Sequence, residues 1–215
     1  MPAIDLKKYP IQFITHQTTR FSYYQSAELA LKGGVRWIQL RMKEVPKEEV
    51  KKEAKRIKEL CGTYDALFFI DDYVDIALET KAHGVHLGLH DMQINEARKN
   101  AGKELLIGAT ANTFDHIVMH AKAGADYIGL GPLRFTETKK QLSPVLGVNG
   151  VKAIVKQCKE NNIFLPIYLI GGIQINDIIA IKQTGVDGIA VSSAILLSEN
   201  PLETTGKFLD GLNPY

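Results

Sequence analysis

Short, continuous apolar runs alternate along the chain with longer stretches in which apolar residues return at helical spacing. The runs lie near 10–16, 37–42, 66–71, 84–89, 105–110, 127–131, 166–171 and 188–192, and lack the in-out alternation of a sheet with one wet face. Between them, stretches such as EEVKKEAKRIKELC, TFDHIVMHAKA and GVKAIVKQCKENN predict amphipathic helices. A phrase recurs at the joints: GGVRWIQLR from Gly33, HGVHLGL from His83, AGADYIGLG from Ala123 and TGVDGIAVS from Thr184. Each reads as a helix closed by a glycine in the left-handed C-cap conformation and followed by a buried strand. Strands buried on both faces and strictly alternating with helices pair in parallel, and the count reaches eight. The α/β fold expected is therefore a compact (β/α)8 TIM barrel, one domain over residues 1–215. An open doubly wound sheet would use the same elements, but no G-x-G-x-x-G follows the first strand to mark its dinucleotide site.

Composition narrows the function classes. A chain of 215 residues, 45% hydrophobic and 23% charged, can bury a substantial single core. The net charge is +2 with no long block of one sign, which argues against a nucleic-acid partner and against a polybasic membrane anchor. The start, MPAIDLKKYPIQFITH, lacks a signal-peptide layout, and no apolar run approaches the roughly 18 residues of a membrane span, so a cytoplasmic address is expected. Cys61 and Cys158 stand alone with no CxxC and read as structural thiols. His16, His83, His90, His116 and His120 show no metal-ligand spacing and read as surface or packing residues.

Barrel chemistry sits where strands end at the C-terminal face. Strand two ends QLRMK, with Gln39, Arg41 and Lys43 at alternate positions and so on one face. Strand three ends in Asp71 and Asp72; strand four carries His86 and is followed by Asp91; strand five ends at Thr110 and Asn112. Strand six runs into GLGPLRFTETKK, with Thr136, Thr138 and Lys139. Strands seven and eight end in Gly171-Gly172 and in Val191, Ser192 and Ser193 before helices, the usual position for a phosphate cup in a barrel. Singly, each feature has a plain reading: Arg41 or Lys43 as a solvated charge, Asp72 or Asp91 as a helix N-cap, Gly171-Gly172 as a turn, His86 as a buried core histidine, TETKK as a solvated loop. Their convergence on one end of one barrel favours a site.

Carboxylates and cations in one cleft make chemical sense if a metal and a polyanion bind together. Mg2+ takes one or two carboxylates and fills its octahedron with water and phosphate oxygens, which suits Asp72 and Asp91. Arg41, Lys43 and Lys139 can then hold the remaining phosphate oxygens. A separate cup at strands seven and eight implies a second phosphorylated ligand, and so group transfer with pyrophosphate leaving.

The motifs IQLRMK, DDYVDIA, GVHLGLHD, GADYIGLGPLRFTETKK, IGGI and GVDGIAVSSAI resemble, in order and spacing, those of the thiamine phosphate synthase family, over essentially the whole chain. The resemblance implies an enzyme that joins hydroxymethylpyrimidine diphosphate to hydroxyethylthiazole phosphate by a dissociative substitution. It places Gln39 and His86 near the pyrimidine, and Arg41, Lys43, Asp71, Thr110 and Lys139 around the pyrophosphate. Asp72 and Asp91 would hold Mg2+, while Thr136, Thr138, Gly172 and the backbone of Val191, Ser192 and Ser193 surround the thiazole phosphate. The RFTETKKQLSPVLG segment is expected to close over the site. Three places depart from the family pattern: Asp71 where Asn is usual, Leu89 where Gln is common, and the stretch Thr110-Ala111-Asn112 in place of Ser-Thr-His. Thiazole tautomerases on the same barrel, or a non-catalytic sensor of phosphorylated ligands, are the alternative readings. Partners are expected to be small phosphorylated substrates, with a homo-oligomer compatible with the sequence.

Overall fold

The computed structural model describes residues 4–135 and 144–212. Eight parallel strands form a closed barrel in sequence order: β1 (Ile11–Ile14), β2 (Trp37–Leu40), β3 (Leu67–Asp71), β4 (Gly84–Leu87), β5 (Leu106–Ala111), β6 (Tyr127–Leu130), β7 (Ile167–Ile170) and β8 (Gly188–Val191). The last strand closes on the first through the pairs Ile11–Ile189 and Phe13–Val191. Helices α1 (Tyr23–Lys32), α2 (Lys47–Thr63), α3 (Val74–Glu79), α4 (Ile94–Ala101), α5 (Phe114–Ala123), α6 (Gly147–Glu160) and α7 (Ile178–Lys182) fill the gaps between strands. After β8 come a short α8 (Ser193–Leu196) and α9 (Pro201–Leu212). Among the described residues, no helix is long and apolar enough to cross a membrane.

Side chains of a strand alternate in direction, and the barrel divides them between two cores. Ile38, Leu40, Phe68, Ile70, Val85 and Ile107 point outward and pack with the buried helix faces. Trp37, Leu67, Phe69, Tyr127 and Tyr168 point inward and fill the barrel on its N-terminal side. Three of the four large inward rings have a glycine as a strand neighbour: Phe69 pairs with Gly84, Tyr127 with Gly108 and Tyr168 with Gly188. A Cβ added to these glycines would stand 2.2 Å from the Phe69 ring, 2.1 Å from Tyr127 and 2.5 Å from Tyr168. The aromatic layer thus exists because neighbouring strands give up their side chains. Its rings meet edge-on or tilted, with Trp37 4.8 Å from Tyr168 and 5.0 Å from Tyr127 and Phe69, and such pairs add about 0.5–1.5 kcal/mol each beyond burial.

Two of the repeated phrases work differently from expectation. After α1 the left-handed residue is Gly34, at φ 102°, while Gly33 is right-handed and instead leaves room for Thr205 of α9, 2.6 Å from a Cβ built there. After α3 the left-handed step falls on Lys81 at φ 52°, and Gly84 lies within β4 to accommodate Phe69. Gly124 and Gly185 do carry the left-handed conformation. Cys61 and Cys158 are free and buried, and burial pushes the Cys61 thiol up to about 12.

Candidate active site

Two residues beyond the aromatic layer on strands two to five, the inward positions turn polar. Trp37 is succeeded by Gln39, Phe69 by Asp71, Gly84 by His86 and Gly108 by Thr110. The site therefore rests on the filled barrel as on a floor. Thr15, fully buried just after β1, fixes the end of β2: its N–H donates to the Gln39 carbonyl at 2.9 Å and its hydroxyl accepts from the Arg41 N–H at 3.1 Å.

A charged network connects strands two to four. Gln39 Nε2 donates to Asp71 Oδ1 at 2.8 Å, while Asp71 Oδ2 lies 3.4 Å from Arg41 Nε and 3.3 Å from Lys43 Nζ. Lys43 Nζ also donates to Asp72 Oδ2. Asp71, which adds a negative charge beside the expected diphosphate, is thus matched by two cations. Lys43 is held above its ordinary pKa against the cost of burial by Asp71 first and Asp72 second.

Neither candidate metal carboxylate is a helix cap. The N-caps of α3 and α4 are Tyr73 and Gln93, and neither makes a side-chain cap bond. Asp72 adopts a left-handed φ of 68°, a conformation costly for a residue with a Cβ. Asp91 Oδ2 accepts the Gly88 N–H at 2.7 Å and hydrogen-bonds with Asp72. Burial and then the neighbouring Asp71 charge push Asp72 up to about 7; Asp91 is held low despite burial by its bonds from Asp72 and Gly88. The two carboxylates are thus held within hydrogen-bonding reach of each other, where a cation would relieve their repulsion. Among the described residues no three or more His, Cys, Asp or Glu side chains form a metal cage. The pair fits a hard ion that completes its shell with water and ligand oxygens.

A second chain of hydrogen bonds rises from the barrel interior. Gln12 Nε2 donates to the Tyr127 hydroxyl at 2.9 Å; that hydroxyl lies 2.9 Å from His86 Nδ1, and His86 Nε2 lies 3.0 Å from Thr110 Oγ1. Burial holds the Tyr127 hydroxyl well above its ordinary pKa, so it keeps its proton. The Tyr127 hydroxyl thus joins Gln12 to His86, and His86 in turn joins it to Thr110. His86 is at once a satisfied buried histidine and part of the site wall. Sequence reasoning missed Gln12 and Tyr127, which are 115 residues apart and meet only when the barrel closes.

Strands six to eight form the opposite rim. Asn112 Nδ2 donates to the carbonyls of Gly131 at 3.0 Å and Pro144 at 2.8 Å, tying together the two stems of the segment after β6. Arg134 grips Asp177 through two 2.7 Å bonds and reaches the Gly172 carbonyl at 2.8 Å. Gly171 and Gly172 have φ of 97° and 68°, and a Cβ on Gly172 would meet Arg134 Cγ at 2.4 Å. On the adjacent strand end, Ser192 Oγ is buried with no partner among the described residues, and Ser193 starts α8. Val191 turns its side chain into the outer core, leaving only its backbone for the rim. Thr136, Thr138 and Lys139 lie outside the described residues.

A cleft of about 210 Å³ brings Gln39, Arg41, Lys43, Asp71, Asp72, His86, Asp91 and Thr110 together and reaches across to Ile170 at the end of β7. Of the other histidines, His83 accepts the Phe68 N–H at 2.9 Å, His116 Nδ1 faces the Asn112 N–H at 3.3 Å, and His120 bonds the Thr110 carbonyl at 3.0 Å. These three support the backbone.

Similarity to known proteins is extensive. The thiamine-phosphate synthase of Phocaeicola vulgatus is 55% identical over 204 residues, spanning 95% of this chain and 98% of that one. The Bacteroides thetaiotaomicron thiamine-phosphate synthase is 54% identical over 200 residues, 93% of this chain and 96% of its own. Among solved structures, thiamine phosphate pyrophosphorylase from Pyrococcus furiosus matches with a TM-score of 0.86 at 34% identity, covering 97% of this chain and 98% of that chain. A 3-hexulose-6-phosphate synthase at 17% identity, with a TM-score of 0.72, shares the barrel fold. The family profile described as thiamine monophosphate synthase matches residues 11–195, and the chain belongs to that family.

Proposed function

We propose that the chain joins hydroxymethylpyrimidine diphosphate to hydroxyethylthiazole phosphate, releasing pyrophosphate. The observation that carries this reading is the mixed-charge cleft: Arg41 and Lys43 on one strand end face Asp71 and Asp72 on the next, with Asp91 alongside. Cations alone would suit any phosphate, but carboxylates among them suit a metal-bound diphosphate. Mg2+ held by Asp72 and Asp91 would neutralise charge on the diphosphate oxygens. Arg41, Lys43 and Lys139 take the charge that builds on the leaving group as the methylene C–O bond breaks and its electron pair departs with pyrophosphate. Gln39 and His86 hold the pyrimidine end, Thr110 contacts the diphosphate, and the lone pair of the thiazole nitrogen forms the new C–N bond. Gly172, Thr136, Thr138 and the backbone from Val191 to Ser193 hold the thiazole phosphate. The unpartnered Ser192 hydroxyl beside the glycine turn supports a second anion there. The protein's part is positioning and electrostatics, with no nucleophilic side chain consumed.

The proposal extends to one folded domain over residues 1–215 and a cytoplasmic address; association into a homo-oligomer is read by sedimentation. The test of activity is pyrophosphate release with both substrates, with each alone, and with added chelator. Release that needs both substrates and Mg2+ is expected. Release without the thiazole phosphate, or full turnover in excess chelator, would refute the substitution or the metal.

A further inference from the structure

The buried amide of Gln39 is satisfied on one side only. Its Nε2 donates to Asp71 Oδ1 at 2.8 Å, while Oε1 is buried and has no partner among the described residues. Gln39 itself is 2% exposed and lines the cleft. A carboxylate accepts hydrogen bonds and offers no N–H, so Asp71 admits only one orientation of the neighbouring amide. Asp71 cannot readily turn away, because Arg41 and Lys43 hold its other oxygen at 3.4 and 3.3 Å. The result is a fixed acceptor, Gln39 Oε1, buried on a residue that lines the cleft and lacking a donor among the described residues. A buried acceptor left unmet is costly, so the ligand that fits supplies an N–H at that point.

We propose that Asp71 is a specificity-determining positioning residue: it locks the Gln39 amide so that the pyrimidine pocket demands a hydrogen-bond donor, the exocyclic ring amine, and rejects an oxygen there. The inference rests on the reading of the cleft as a pyrimidine diphosphate site and goes beyond it by assigning the residue that sets the polarity of recognition. An asparagine at position 71 would offer both a donor and an acceptor. Gln39 could then turn over and present Nε2 to a ring oxygen. The carboxylate at this position is therefore a stricter filter than an amide would be.

Equilibrium binding of two unreactive ligands tests this: the hydroxymethylpyrimidine monophosphate with its ring amine, and its counterpart carrying oxygen in place of the amine. The ratio of their dissociation constants cancels the contributions of phosphate, metal and net charge that Asp71 also influences. Wild type is expected to prefer the amine by roughly tenfold or more, as a site built to pair a donor does. Asp71→Asn brings the ratio to within about threefold by admitting the oxygen ligand. Gln39→Leu, which removes the acceptor with Asp71 intact, also collapses the ratio, by weakening the amine ligand, and serves if the first variant does not fold. A wild-type ratio near one, or a ratio unchanged in either folded variant, overturns the inference while leaving the pyrimidine site standing. Failure of wild type to bind both ligands overturns the pyrimidine site and this inference together.

Discussion

Asp72 holds its carboxylate toward the cleft from a backbone conformation that few residues accept, φ 68°. Asparagine and aspartate tolerate this region better than alanine does, so Asp72→Asn separates loss of charge from loss of backbone fit. The variant keeps the shape and a hydrogen bond to Lys43 but removes the anionic ligand. Pyrophosphate release is expected to fall by roughly 100-fold or more, since a metal supplies several kcal/mol of charge stabilisation to such a reaction. Asp91→Asn, which keeps the acceptor for the Gly88 N–H, should behave alike. Melting temperatures within a few degrees of wild type, with the activity lost, would place both residues in the chemistry; activity kept by both variants would remove the metal from the mechanism.

The strand ends were legible because each continuous apolar run stops where the barrel meets water, and because a period of two is enough by itself to assign Gln39, Arg41 and Lys43 to one face. Contacts between elements distant in sequence were not legible. Asn112 reads in sequence as one more polar strand end, yet its amide bridges Gly131 and Pro144, 19 and 32 residues away. Asn112→Ala leaves the buried Gly131 carbonyl and the part-buried Pro144 carbonyl short of their donor and is expected to cost about 1–3 kcal/mol of stability. It should also raise the KM for the thiazole phosphate more than for the diphosphate, because the tied segment leads to Thr136 and Thr138. Equal changes for both substrates would confine Asn112 to stability. The joint before β4 makes a pH-dependent contribution. Burial first, then the Lys58 charge, lowers the His83 pKa from 6.5 to about 4, and the neutral ring accepts the Phe68 N–H. The unfolded chain therefore binds a proton that the folded chain refuses. His83 contributes fully above pH 6.5, and that stability is lost as pH falls toward about 4. Denaturation midpoints of wild type and His83→Asn across this window should converge as the pH drops; parallel curves would exclude the histidine.

The barrel joins stability to function through its layers. The rings of Trp37, Phe69, Tyr127 and Tyr168 fill the lower interior, and the layer above it on strands two to five, Gln39, Asp71, His86 and Thr110, makes one wall of the site. Tyr127 belongs to both layers, since its ring packs against Trp37 and its hydroxyl supports His86. A Cβ at position 108 would stand 2.1 Å from that ring, so in Gly108→Ala the ring or the strand must move. Overpacking of this kind costs typically about 1–3 kcal/mol. The displaced hydroxyl would also leave His86 Nδ1 without that hydrogen bond, and the effect should extend upward to Thr110 and the pyrimidine end of the cleft. Gly206 is the control. It lies within α9 with nothing inside 4 Å of an added Cβ, so Gly206→Ala should stabilise the fold by about 0.5–1 kcal/mol through helix propensity alone. Denaturant midpoints should therefore move in opposite directions for the two substitutions, with kcat/KM for the diphosphate falling only in Gly108→Ala. If Gly108→Ala loses stability yet keeps full kcat/KM, the aromatic layer supports the fold without setting the site, and the hydrogen bonds from Gln12 to Thr110 are structural.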